Sequence, residues 1–574
     1  MHWQQKLIHL FLLAVTFTGA SQVPLTPSVN VGARSWLSRP WNERPSEDAM
    51  GNLVFQSLSS LMQMMPNSKH PFGHSIVRAI IPKGTLLYHG TFLGTCPSMD
   101  WMALDAEHAM IFTFGANGTL FTYTTTRDIQ LVYFDGCSGN DVPGVIDTQD
   151  LLIWGEPGRR GHRSEDWMAE EVDRLVDGCA WAKQHGIDGF LRMEFDFEIM
   201  YCDLTQGLKL VSSTPTVNPW ANYEPTKPSM AGVPESRAED PRAMVPPQGP
   251  RLPSDQCSPE ATFHGLTKAR LTERNHRKQG QTVGNNFPPY SYPNGWKGNL
   301  PVLDLEAFHA GTWHNQFPGE PRVYIDHSSM ITLFDPSLTS LVEARRSMTR
   351  DEYRAANLSK ADITHVRADI AEVMARDPFT GSGVDWQGLA RVIQERFADR
   401  LPFMQHLLHQ PEVNVTAQLT RVRRQLIISL IPYMHRENVG EPEWFAEIAH
   451  RCAARFTDHL PRAEFTKQER VLHHATEEVL HEVCRVYTEA WVEAFDAEEK
   501  SIPVVQGYLE KWKGQFDSLV AWLDWPVWIK CDPPCGVDEV CRVSQGAPWD
   551  PDSGHEPRCM PIDLEKFVFP PGSV

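Results

Sequence analysis

A proline-rich stretch in the middle of the chain limits what this sequence can fold into. From 213–284 the composition changes to Pro, Ser, Gly and charged residues without an apolar period, and eleven prolines lie between Pro215 and Pro259. Such a segment buries too little apolar surface to fold by itself. The chain of 574 residues therefore predicts ordered parts joined by a linker.

The two flanking regions carry different apolar periods. Residues 49–212 contain short β-branched and aromatic runs and one helix over Ser164–His185, which is typical of an α+β domain. Residues 285–528 begin with two short strand patterns and continue mainly with helical spacing, including a helix from the capping box at Ser359 to Met374. A Cys-rich tail covers 529–574. The predicted fold class is an α+β N-terminal domain, a Pro-rich linker, a mainly α C-terminal domain and a small disulfide-rich tail.

The first residues predict export. Lys6 precedes an apolar run from Leu7 to Phe17, and Thr18-Gly19-Ala20 is a small-residue cleavage site, so 1–20 have the layout of a secretory signal peptide. An extended arm is expected over 21–48. The apolar run is too short to cross a bilayer, and no later segment approaches the roughly 20 apolar residues that a spanning helix needs. We expect a secreted, soluble protein without a membrane span.

The net charge argues against one class of partner, and three sequons predict glycans. A formal charge of −19 argues against nucleic acid, because phosphate binding needs a positive surface. An extracellular protein or a wall component is the expected kind of partner. Asn117, Asn357 and Asn414 stand in glycosylation sequons and are predicted to carry glycans.

Eleven cysteines in an oxidising compartment should mostly be paired. Two bridges of open connectivity are predicted in the tail, because a zinc site there would lack a matching His pair. Cys96 with Cys137 and Cys179 with Cys202 are predicted pairs within the α+β domain, and Cys257 is the candidate unpaired thiol. The tail cysteines are Cys531, Cys535, Cys541 and Cys559.

Three carboxylates share one face of the segment Gly189–Leu204, which alternates as a single strand. Glu194, Asp196 and Glu198 are spaced about 6.6 Å apart along such a strand. They could hold Ca²⁺ or provide a general acid whose pKa is raised by like-charge repulsion. Any half-exposed antiparallel strand shows the same alternation, and we expect a solvated face without a metal.

Two Glu-x-x-His motifs, beginning at Glu447 and at Glu478, are of the kind found in di-iron helical bundles. A short hairpin through Pro461 would place residue 452 opposite residue 473. Helical wheels put the motif residues opposite the apolar stripes, so we expect them to face water. The same register separates Cys452 from Cys484 by about 16 Å along the axis, which predicts against a disulfide between them.

Five segments together resemble an uncharacterised family of secreted proteins of filamentous fungi. The resemblance implies a fungal source and export, and it implies no established activity. The segments are IIPKGTLLYHGT, WMALDAEHAMIF, TTTRDIQLVYFDG, DGFLRMEFDFEIMYCDL and FHAGTWHNQFPGEPRVYIDH.

Residues 84–154 are also similar to the core of His-led ADP-ribosyltransferases, through YHGT, the DAEHA helix and DTQD before an apolar segment. This resemblance implies NAD as cofactor, His89 as the ribose ligand, and Asp147 or Asp150 where that family has Glu or Gln. Tyr88 and Gly90 flank the histidine, and a missing side chain at Gly90 would let a ligand approach the backbone. The alternative, which we favour, is a strand end with a packed Tyr and a hydrogen-bonded His.

Two functional hypotheses follow. The leading one is a secreted glycoprotein with an extracellular interaction or effector-like role and no cofactor. The alternative is an ADP-ribosyltransferase-like enzyme that acts on NAD through His89 and an acidic residue of 147–150. The sequence has no Gly-x-Ser-x-Gly elbow, no His-Glu-x-x-His and no Gly-rich phosphate loop that would favour another enzyme class.

Overall fold

The computed structural model describes residues 36–561 apart from 92–93, 111, 114–117, 141–143, 159–166, 195, 217–318, 411–413 and 544–555. Some predictions lie outside the described residues. They are the leader over 1–20, most of the arm, the sequon at Asn117, the linker beyond residue 216 and the unpaired thiol at Cys257.

A nine-stranded sheet forms the N-terminal α+β part, and its strands run in the order β8-β4-β2-β3-β7-β6-β5-β1-β9. Neighbouring strands are antiparallel except for the parallel pair β5 and β6. The strands are β1 (Ser75–Ile81), β2 (Leu86–Thr91), β3 (Asp100–Ala103), β4 (Thr119–Thr125), β5 (Ile129–Phe134), β6 (Gly189–Met193), β7 (Phe197–Tyr201), β8 (Leu208–Pro215) and β9 (Tyr324–Thr332).

Strand β9 comes from the region predicted as a separate helical domain. It pairs with β1, with Ile80 opposite Tyr324 and Ile76 opposite Ile331. A single cluster of buried apolar side chains also runs from the sheet into the helical part. The second ordered part of the chain therefore completes the sheet and the core of the first.

The segment Gly189–Leu204 forms a hairpin instead of the single strand that its alternation predicted. Strands β6 and β7 pair antiparallel, with Leu191 opposite Ile199 and Arg192 opposite Glu198. All five residues of each strand are buried, because the sheet is covered on both faces here. Period-2 alternation gives no signal for the tight turn that reverses the chain between them.

Thirteen α-helices are present in the described part of the chain, and most follow the segment 217–318. Those before it are α1 (Gly51–Ser60), α2 (Met64–Lys69), α3 (Ala106–Met110), α4 (Asp147–Trp154) and α5 (Trp167–Gln184). Those after it are α6 (Thr339–Arg345), α7 (Lys360–Ala375), α8 (Trp386–Phe397), α9 (Arg400–His409), α10 (Val415–Leu430), α11 (Trp444–Ala454), α12 (Lys467–Ala494) and α13 (Ile502–Leu523). The predicted α+β part, mainly helical part and disulfide-rich tail are confirmed, and the predicted linker lies almost wholly outside the described residues.

Helix α12 is the centre of the helical part. It has 28 residues, of which 20 are buried, and it opens with a capping box between Thr466 and Glu469. It contacts α1, α10, α11, α13 and β9. A helix surrounded in this way loses the water-exposed face that the sequence pattern assigned to it.

The prediction against a Cys452–Cys484 disulfide is wrong. These residues are bonded, with their Cα atoms 5.8 Å apart. Helix α11 ends at Ala454, and a turn region over 455–466 replaces the short hairpin loop that the predicted register assumed. Residue 452 therefore faces residue 484 and not residue 473.

The other cysteines follow the predictions in part. The Cys179–Cys202 bond is present, and the tail contains Cys531–Cys541 and Cys535–Cys559. The predicted Cys96–Cys137 pair is wrong, because Cys137 is a free, fully buried thiol while Cys96 is disulfide-bonded. The Cys137 Sγ lies 3.5 Å from the Asn67 carbonyl oxygen, where the core encloses it. Within the described residues, no helix is both long and apolar enough to span a membrane.

Candidate functional site

His89 is a packed and hydrogen-bonded residue of strand β2. Its Nδ1 lies 2.8 Å from the Trp101 carbonyl oxygen, and its ring stacks on Phe121 with centroids 6.3 Å apart. Its Nε2 is 3.9 Å from a carboxylate oxygen of Asp100. Burial raises the pKa of Asp100, although His89 opposes that shift. The acidic group nearest to His89 is thus Asp100, which the sequence hypothesis did not include.

Gly90 serves close packing. A Cβ atom there would lie 1.8 Å from the backbone oxygen of Ala109, because helix α3 rests directly on strand β2. Tyr88, two residues earlier, is half-buried and pairs with Ala103 of β3. The absence of a side chain at Gly90 admits a helix and does not open the backbone to a ligand.

Asp147 and Asp150 belong to helix α4, which also contains the apolar segment that follows DTQD. Asp147 is paired with Arg354 at 3.0 Å, and Asp150 with Arg174 at 3.2 Å. Burial raises the pKa of Asp150 to about 6, against the effect of Arg174. The contacts of these carboxylates do not include His89. The structure does not bring the proposed transferase residues together.

The carboxylates of the β6–β7 hairpin are not solvated, and this prediction is wrong. Asp196 is 1% exposed and Glu198 is 4% exposed, while Glu194 in the turn is half-buried. Helix α3 covers one side through His108, and helix α5 contributes Glu171 and Arg174. A buried carboxylate needs a compensating charge or a proton.

His108, Glu194 and Glu198 form the group with metal-ligand geometry, here called the His108 cluster. One ligand atom from each residue lies within 4.8 Å of the others. His108 comes from α3, Glu194 from the hairpin turn and Glu198 from β7. A helix and a hairpin that are distant in sequence therefore converge on one point beside the sheet.

Burial sets the protonation states within the His108 cluster. It lowers the pKa of His108 to about 4, with Asp105 opposing, so the imidazole is neutral and keeps a lone pair for a ligand. It raises the pKa of Glu198, while Arg192 opposes this at an Nε–oxygen distance of 2.6 Å. Glu171 and Asp100 add to the rise through like-charge repulsion.

Asp196 belongs to a separate charged group. Burial raises its pKa well above the ordinary value, and repulsion from Asp105 adds to that rise. Arg322 neutralises part of this group by ion pairs with Asp105 at 2.9 Å and with Glu320 at 2.6 Å. The three carboxylates that the sequence placed together are thus divided between two sites.

The donor set of the His108 cluster favours particular metals. One imidazole nitrogen and two carboxylate oxygens suit Zn²⁺, Mn²⁺ or Fe²⁺, whereas Ca²⁺ prefers oxygen ligands throughout. Sequence reasoning named both glutamates and missed His108, because no local spacing links α3 to a hairpin so much later in the chain. The tail sulfurs of Cys531, Cys535 and Cys559 also lie close together, but all three are engaged in disulfides.

The two Glu-x-x-His motifs approach each other through His450 and His481, but among the described residues they form no group with metal-ligand geometry. Glu447 accepts a hydrogen bond from the Asn438 amide at 2.5 Å and lies 3.9 Å from Arg451. Glu478 and His481 are buried beneath residues at and before the start of α1, so the expectation that they face water is wrong. The helical wheel correctly identifies the polar face of α12, but it contains no information about the segment that covers this face.

The match to a known family model lies in the N-terminal α+β part. Residues 47–118 and 113–224 match the family model described as the YPL277C N-terminal domain, and this range includes the His108 cluster. The chain is 29% identical over 212 residues to uncharacterized protein YOR389W of Saccharomyces cerevisiae, which is 29% of this chain and 34% of that protein. It is also 29% identical over 213 residues to uncharacterized protein YPL277C of the same yeast, which is 29% of this chain and 43% of that protein.

The matched region thus spans less than half of each yeast relative. No solved structure matches the chain. The comparisons support similarity to an uncharacterised family for the α+β part. The names of the relatives state no activity.

Proposed function

We propose that this protein is exported and that its α+β part binds a divalent metal ion through His108, Glu194 and Glu198. The observation that carries the proposal is the approach of the three ligand atoms to within 4.8 Å of one another. A cation there would add to the compensation that Arg192 gives to the buried Glu198 carboxylate, and a neutral imidazole could bind the cation.

The ion would connect two elements that lie far apart in the sequence. His108 lies on the short helix α3, and the glutamates lie on the β6–β7 hairpin. Coordination would fix α3 against the sheet, where Gly90 already permits close contact. Because binding to the folded state alone stabilises it, the metal should raise the melting temperature.

Export is supported by the disulfides. Bonds occur in the α+β part, between α11 and α12, and in the tail. Structural disulfides persist in oxidising compartments and are rare in the cytosol. Asn414 is exposed and uses its side-chain oxygen to cap α10, which leaves its nitrogen for a glycan.

The test is metal titration of the full chain after treatment with a chelator. We expect calorimetry to show that one equivalent of Zn²⁺ or Mn²⁺ binds, and we expect the bound metal to raise the melting temperature. Ca²⁺ should bind more weakly by about tenfold or more, because it prefers oxygen ligands throughout. His108→Asn and Glu194→Gln should each weaken binding by about tenfold or more.

Glu107→Gln is the matched control, because Glu107 is an exposed carboxylate on the same helix outside the cluster. It should bind metal like the natural protein. The contrary result is that the His108→Asn protein binds the metal as tightly as the Glu107→Gln protein does, while neither substitution changes the melting temperature of the metal-free protein. That result would show that the cluster is only a buried ionic network.

A further inference from the structure

Residues 36–50, here called the N-terminal strap, cross the polar face of helix α12. Trp36 at the start of the strap is 2% exposed. Its ring centroid lies 4.8 Å from that of His481 and 6.4 Å from that of His474. The Arg39 guanidinium lies 4.1 Å from the centroid of the same indole ring. The strap therefore rests on two imidazoles of α12.

Hydrogen bonds join the strap to the same face of α12. The His481 Nε2 lies 2.8 Å from the Glu43 carbonyl oxygen, so the tautomer with a proton on Nε2 donates to it. Where the strap meets α1, the Gly51 N–H donates to a Glu478 carboxylate oxygen at 3.1 Å. On the α12 side, both contacts come from side chains that titrate.

The anchoring changes at the start of α1. The Asn52 amide donates to the Trp522 carbonyl oxygen at 2.7 Å, and the Gln56 amide donates to the Asp524 carbonyl oxygen at 2.8 Å. These bonds hold α1 through groups that do not titrate near neutral pH. Residues 48–50 are held as well, because Asp48 pairs with Arg346, Arg345 donates to the Ala49 carbonyl oxygen and Met50 is fully buried in the core. A release that begins at Trp36 would therefore end before residue 48.

We propose that residues 36–47 of the N-terminal strap are an acid-released element, in which protonation of His474 and His481 detaches them and exposes the polar face of α12. The contact geometry carries the inference, because both imidazoles are covered by the strap itself. Separation of the strap would give both rings access to water, where the charged form is stable.

The surroundings of both imidazoles disfavour a second proton. His481 is faced by Arg485 of α12, by His450 of α11 and by Glu43 of the strap, and only Glu43 favours its charged form. His474 is faced by Arg39 of the strap. Burial is the largest cause of the lowered pKa in each case.

The direction of the pH effect follows from these shifts. A histidine whose pKa is lowered from 6.5 in the docked state penalises docking as the pH falls below 6.5. Glu478 acts in the opposite direction, because burial raises its pKa from 4.5 to about 7 and docking gains stability as the pH falls between these values. While both docked histidines stay neutral, release takes up two protons at the histidines and gives up one at Glu478, so release is favoured as the pH falls below 6.5.

The experiment is hydrogen–deuterium exchange of the full chain between about pH 7.5 and 4, corrected for intrinsic exchange rates. A net uptake of one proton predicts that protection of residues 36–47 falls by up to about tenfold per pH unit as the pH drops below about 6.5. Protection of strand β5 should not change in parallel. The double variant His474→Gln with His481→Gln leaves only Glu478, so its protection should rise as the pH falls.

His409→Gln is the matched control, because His409 is exposed and pairs with Asp517 away from the strap. It should keep the natural pH slope. Equal loss of protection in the strap and in β5, or a natural slope in the double variant, would overturn the proposal. If the double variant does not fold, the two single variants replace it, and each should remove about half of the histidine contribution to the pH dependence of strap protection. An unchanged pH slope in both single variants would also overturn the proposal.

Discussion

Gly90 shows how one residue type can be given two opposite roles. Beside a strand histidine, a glycine suggests that a ligand approaches the backbone. In the structure that space is filled by the carbonyl group of Ala109 from helix α3. The absent side chain serves packing, and only the position of the helix distinguishes the two roles.

Gly90→Ala should lower the free energy of unfolding by about 3 kcal/mol, because α3 must move to admit a methyl group. Gly514→Ala is the control. Gly514 is exposed within helix α13, and a methyl group added there would have no neighbouring atom within 4 Å. Alanine at 514 should therefore raise the same quantity by about 0.5–1 kcal/mol. Urea denaturation measures both. A Gly90→Ala protein as stable as the natural one would contradict the close contact.

At the scale of elements, β9 decides how the two ordered parts are related. It pairs with β1, which in turn pairs with β5, although residues 216–323 separate β9 from β8 along the chain. Ile331 on β9 is 5% exposed, whereas Tyr324 on the same strand is 56% exposed. One buried strand thus links the stability of the sheet to the chain beyond the linker.

Ile331→Asp should destabilise the protein by about 3 kcal/mol or more, because it buries an unpaired charge in the shared core. Hydrogen exchange should show loss of protection in β1 and β5 together with β9. Tyr324→Asp is the matched control on the exposed side and should change the stability by less than about 0.5 kcal/mol. If only the helices lost protection in Ile331→Asp, the sheet and the helical part would be independent domains.

At the scale of the whole molecule, one core unites the sheet and the helices, and disulfides lie in each region. Whether the cysteines are oxidised depends on the compartment in which the protein resides. Oxidised cysteines and a cleaved leader should therefore occur together in the native protein.

Peptide mapping of the native protein without reduction should recover Cys452 linked to Cys484 and Cys179 linked to Cys202, with Cys137 as a thiol. Under the proposed export, residues 1–20 are a leader that is removed, so no peptide should precede Ser21. Mass spectrometry distinguishes each species. Native protein that retains Met1 and has reduced cysteines would contradict export.

The sequence by itself determined the features that depend on neighbouring residues. The helix over Ser164–His185 is observed as α5, and Ser359 caps α7 by accepting a hydrogen bond from the Asp362 N–H. The tail cysteines form two bridges within a short stretch. Caps, periods and short loops act over a few residues, so their signals are present in the local sequence.

Only the tertiary structure decided which polar groups are buried and what they contact. Asp147 meets Arg354 at a separation of 207 residues, and His481 meets Glu43 at a separation of 438. Glu198 is enclosed because α3 and α5 pack over the hairpin that carries it. A carboxylate on a solvated strand and one in a buried cluster have the same local pattern, and burial by distant segments gives them different chemistry.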